Sequence, residues 1–125
     1  MIIDHRDLAV WKKAHRLTLR VYAVTKHFPA EERYGLIVQL RRAALSIATN
    51  LAEGAARTSR REFMQFTAIA RGSASEVAHL LLVSHDLGFL PHEDFHALED
   101  ECNHIARMLT SMLRSLQRKS ASTAT

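Results

Sequence analysis

Glycine occurs four times and proline twice in 125 residues, so few positions can interrupt a helix. A sheet protein of this size would need more turn residues and more β-branched ones. Cysteine occurs once, at Cys102, which excludes an internal disulfide. No apolar run approaches the roughly 20 residues that span a bilayer. Asp4, His5, Arg6 and Asp7 break up the start of the chain, so no signal-peptide pattern forms there. A reducing, cytoplasmic location without membrane association is the expectation.

Chemical motifs are equally scarce. There is no glycine-rich phosphate loop, no nucleophile motif and no Glu-x-x-His pair of the kind that builds di-iron bundles. The chain is therefore expected to be no enzyme and to hold no cofactor and no metal. His92 and His96, four residues apart, have the spacing of two ligands to one ion. They flank the apolar stripe of their segment, however, and read as a solvated surface pair.

What is present is an ordinary globular balance, 47% hydrophobic and 24% charged, enough for one domain with a real core. Its periodicity predicts four helices. Val10, Ala14, Leu17, Val21, Val24 and Phe28 repeat at three and four, giving a first helix from Leu8 to Phe28, with Asp4 or Asp7 as its cap and Pro29 as its stop. A second opens at Glu31 and Glu32, carries Leu36, Leu40, Ala43, Ala44, Ile47 and Leu51, and ends at Gly54 as C-cap. Ser59-Arg60-Arg61-Glu62 is a capping box. It starts a third helix with Phe63, Phe66, Ala70, Ser73, Val77, Leu80, Ser84 and Leu87 on one face, stopped by Gly88. After Pro91, Phe95, Leu98, Cys102, Ile105, Leu109, Met112 and Leu116 mark the fourth. Short connections make this an all-α, antiparallel up-down-up-down four-helix bundle over residues 1–119, followed by a disordered tail at 120–125.

Helix 2 has more apolar surface than one seam needs. Ile37, Val38, Leu45, Ala48 and Ala52 extend its stripe around most of the circumference, and Leu80 to Val83 do the same on helix 3. Such helices must be covered on a second side, which points to a homo-oligomer.

Two polar patterns accompany this. Gln39, Arg42, Ser46, Asn50 and Glu53 form a ribbon beside the stripe of helix 2, with Gln65, Gly72, Ser73 and Glu76 at comparable spacing on helix 3. The ribbon reads either as a ligand groove or, the preferred reading, as a polar network that fixes helix register through Gln39, Arg42, Ser46, Asn50, Glu53 and Glu76. Charge is also unevenly distributed. The net charge is +4, the pI is near 9.7, and no acid lies between Leu8 and Phe28. The bundle topology gathers Lys12, Lys13, Arg57, Arg60, Arg61, Arg114, Arg118 and Lys119 at one end, and Glu31, Glu32, Asp86, Glu93 and Asp94 at the other. The basic end is a candidate phosphate-binding surface for RNA or DNA, or an ordinary solvated end.

Several motifs also carry a resemblance. They are Phe28-Pro29 with Glu32, Tyr34-Gly35-Leu36, Gln39 to Ala44, Ser46-Ile47 and Asn50-Leu51-Ala52-Glu53-Gly54, then Arg57, Phe63, Phe66, Ile69-Ala70 and Gly72-Ser73 with Glu76. From Leu8 to Leu116 the chain resembles the bacterial four-helix-bundle family first noticed in intervening sequences of large-subunit ribosomal RNA genes. It is similar in kind to the accessory variability protein of diversity-generating retroelements. Leu51 stands where isoleucine is usual and Val77 where leucine is usual. The resemblance implies a homopentamer without enzymatic activity, a scaffold that binds nucleic acid or a nucleic-acid-processing partner through a basic surface. The alternative is a purely protein–protein scaffold.

Overall fold

Each of the four apolar stripes becomes the buried face of a helix. In the computed structural model, which describes residues 3–124 and side chains as far as Lys119, α1 spans Ala9–Thr25, α2 Leu36–Ala55, α3 Arg60–Asp86 and α4 His92–Ala124. Single 3-10 turns at His5–Asp7 and Ala30–Glu32 precede α1 and α2, and no strand occurs among the described residues. The helices pack as a four-helix bundle, with α2 against α3 and α3 against α4 as the most extensive pairings.

The core is aliphatic. Leu17 and Val21 of α1, Leu40, Ile47 and Leu51 of α2, Val77 and Leu81 of α3, and Leu98, Ile105 and Leu109 of α4 are enclosed. Each such side chain contributes about 1.5–3 kcal/mol by leaving water. The buried polar residues are hydroxyls that bond backbone carbonyls or, for Ser73, the hydroxyl of Ser46. Thr18 donates to the carbonyls of Ala14 (2.9 Å) and Ala44 (3.2 Å), Thr67 to Phe63 (2.7 Å) and Ser84 to Leu80 (2.7 Å). None is left without a partner, so burial costs little.

Helix ends depart from the periodicity in instructive ways. α1 stops at Thr25 rather than Phe28, because side chains take over its last carbonyls. The Thr25 hydroxyl donates to Val21 O (2.7 Å), Arg41 Nη2 of α2 donates to Tyr22 O (3.4 Å), and Arg41 Nε donates to the Thr25 hydroxyl (2.9 Å). Asp4 caps the first 3-10 turn by accepting from Arg6 N–H (3.0 Å) rather than capping α1, whose N-cap Leu8 makes no side-chain bond. Glu31 and Glu32 sit in the second 3-10 turn, and α2 begins only after the non-helical Gly35.

Gly54 is not a C-cap. It lies inside the last turn of α2, where a Cβ would stand 2.8 Å from Phe66 Cβ and 2.9 Å from Phe63 Cδ1. Glycine is required there so that α3 can approach. Ser59 does cap α3, accepting from Glu62 N–H (3.1 Å). Gly88, at φ +82°, does end the α3 segment, with Phe89 N–H returning to Ser84 O (2.9 Å). Leu87, expected on the buried face, is 57% exposed because the chain turns there. α4 continues helically past Lys119 to Ala124, where the sequence suggests a disordered tail. The side chains of 120–125 lie outside the described residues.

Candidate interaction surfaces

At one end of the bundle the start of the chain, the α2–α3 connection and the end of α4 meet. Ile3 N–H donates to Ala55 O (3.2 Å), and Ile3, Leu8, Ala55, Phe63, Met64, Met112 and Leu116 form a small second core there. Around it stand Arg57, Arg61, Arg114, Arg118 and Lys119, all exposed, with Arg60 half-buried. The Arg57 guanidinium lies 5.0 Å from the Phe66 ring centroid, a cation–π contact that fixes its position.

Lys12 and Lys13 are placed differently from this group. They are exposed on α1 and line a cavity of about 370 Å³ along the α1/α4 seam with Arg16, Asp100, Glu101, His104 and Ile105. His104 also borders a more open cavity of about 640 Å³, floored by Leu8, Phe63, Met108, Met112 and Leu116 and rimmed by Arg107 and Lys119. Arg16 and Arg107 thus extend the basic surface along the seam. The sequence reading missed them because they lie between the two ends. Arg20 pairs with Glu101 across the same seam at 2.6 Å, while Oε2 of that carboxylate is enclosed without a partner.

The outer face of α2 and α3 is of another kind. The polar ribbon condenses to a short network: the Ser46 and Ser73 hydroxyls are 2.7 Å apart, and Asn50 Nδ2 donates to Ser46 O (2.7 Å) and Ser46 Oγ (3.0 Å). Gln39, Arg42, Glu53 and Glu76 stand exposed and outside this network, a correction to the longer one expected. Much of the extra apolar surface is covered within the subunit, since Ile37, Ala48 and Val83 pack against the core. Leu45 (42% exposed), Ile69 (52%) and Leu82 (45%) are not. Gly72 lies on α3 in this region, and nothing stands within 4 Å of where its Cβ would be.

Cys102 is enclosed, and burial, followed by the nearby Glu101 and Glu99 charges, pushes its thiol up to about 12. It is a small core residue and a poor nucleophile at neutral pH. No helix among the described residues is long and apolar enough to cross a membrane. Among the same residues no group of three or more His, Cys, Asp or Glu side chains could hold a metal ion.

Residues 6–111 match the family described as the 23S rRNA-intervening sequence protein. Among solved structures, the chain is similar to a crystal structure of a protein of unknown function from the S23 ribosomal protein family of Bacteroides thetaiotaomicron VPI-5482. That likeness has a TM-score of 0.76 at 20% identity, over 84% of this chain and 98% of that one, and establishes the shared fold. No curated protein matches the chain.

Proposed function

The chain belongs to the 23S rRNA-intervening sequence protein family, and from that premise we propose that it is a subunit of a homo-oligomeric, non-catalytic scaffold that holds nucleic acid at its basic end. Gly72 carries the assembly part of this reading. A glycine inside a helix costs about 1 kcal/mol relative to alanine, yet neither its backbone nor any neighbour in the subunit calls for it. A surface approaching from outside gives it a reason, and the exposed Leu45 and Ile69 supply apolar contacts that a second copy would cover. Five copies is the number the family resemblance implies. The nucleic-acid part is supported by the arginines at the α2–α3 connection and the α4 end, and by the basic extension along α1/α4.

Light scattering tests the first part. The native chain should run as an oligomer at micromolar concentration, and the double variant Leu45→Asp, Ile69→Asp as a folded monomer. A native monomer would reject assembly. Fluorescence polarisation with a labelled RNA or DNA duplex tests the second. Affinity should fall steeply with salt and drop at least about tenfold in Arg57→Glu, Arg60→Glu, Arg61→Glu. Unchanged affinity would leave a scaffold for proteins alone.

A further inference from the structure

Tryptophan occurs once in the chain, at Trp11 near the start of α1. The His15 ring lies nearly flat on the indole, with 4.9 Å between centroids and 10° between planes. His5, from the 3-10 turn ahead of the helix, meets the indole edge to face at 4.9 Å and 70°. That turn is closed by Asp4, which accepts from Arg6 N–H (3.0 Å) and pairs with the Arg6 guanidinium (2.9 Å). Trp11 is half-buried against the core, whereas His15 is exposed, so the outer end of the stack faces solvent.

Trp11 and His15, four residues apart, form one row along the helix. Lys12 and Arg16, each one residue further on, form the row beside it. Both are exposed, and α1 itself carries no acid. Across the α1/α4 seam Asp100 and Glu101 face Lys12, Lys13 and Arg16, and Glu101 is already matched by Arg20 at 2.6 Å. Cations therefore outnumber the acids left to oppose them.

A flat ring open to solvent beside a row of cations suits a single strand, whose unpaired bases stack on rings while its phosphates follow the charge. A duplex keeps its bases stacked on one another and meets such a surface through phosphates. We propose, resting on the nucleic-acid part of the function above, that the Trp11–His15 stack is a platform for one unpaired base of a single-stranded nucleic acid. The base lies on the outer face of His15, and Lys12 and Arg16 take the neighbouring phosphates.

The emission of the sole tryptophan reports on this place alone. A mixed-sequence ten-nucleotide strand, as RNA or as DNA, should quench Trp11 saturably, whereas the duplex of the same sequence should bind and leave the emission unchanged. Polarisation with the same strands, labelled, gives the affinities. Trp11→Leu, His15→Gln should weaken single-strand binding about tenfold and leave duplex binding unchanged. Lys12→Glu, Arg16→Glu, at exposed positions and with the indole kept, should weaken single-strand binding at least about tenfold, and keeps the test decisive if circular dichroism shows the ring variant misfolded. Single-strand binding without quenching of Trp11, or at full affinity in either double variant, would overturn the platform and leave the basic end standing. Binding of neither strand nor duplex to the native chain would reject the nucleic-acid reading itself, and the platform with it.

Discussion

The α2/α3 and α1/α4 seams join helices of the same amphipathic design, yet one is closed and the other open. Small residues sit where α2 meets α3: Gly54 against Phe63 and Phe66, and Ser46 against Ser73. The backbones approach closely, and two hydroxyls bond directly across the gap. Across α1/α4 the facing residues are long and charged, and α1, at 17 residues, cannot cover a 33-residue α4. Cavities and an unpartnered carboxylate oxygen remain. Seam geometry therefore follows from side-chain size and helix length, which the apolar stripes do not encode.

Mutations can break or sharpen this contrast. Gly54→Val should be the most damaging, since its side chain enters space already filled by two phenylalanines. A loss of about 3 kcal/mol in urea unfolding is expected. Gly72→Ala should have the opposite sign. In the Leu45→Asp, Ile69→Asp background it should stabilise by about 1 kcal/mol, because a methyl group there meets nothing. Ser73→Ala removes the bond to Ser46 and should cost about 1 kcal/mol. Arg20→Gln, on the open seam, should cost no more than about 0.5 kcal/mol despite the short contact to Glu101, because both groups are partly solvated. A larger loss at Arg20 than at Ser73 would reverse the ranking of the two seams.

Period and punctuation made the four helices, the Ser59 cap and the Gly88 stop readable, because each is local. Gly54 was misread as punctuation since its role depends on where two aromatic rings of another helix come to rest. The early end of α1 was hidden because Arg41, sixteen residues beyond Thr25, supplies the replacement bonds. The grouping of Arg57, Arg60, Arg61, Arg114, Arg118 and Lys119 follows from topology, whereas the place of Lys12 and Lys13 beside Arg16, and that of Arg107, needed the seam itself.

Among the described residues, the polar side chains that are wholly buried are hydroxyls, which carry no charge near neutrality, and one thiol. The folded chain holds the Cys102 proton up to about 12, whereas the unfolded chain, with the ordinary thiol value of 9.0, surrenders it earlier. Proton counting then fixes the sign. This residue favours folding equally at all pH below the ordinary value, and its contribution is lost progressively as alkalinity climbs from there towards about 12. Cys102→Ala should accordingly lessen the loss of stability that urea unfolding records between pH 9.0 and about 12.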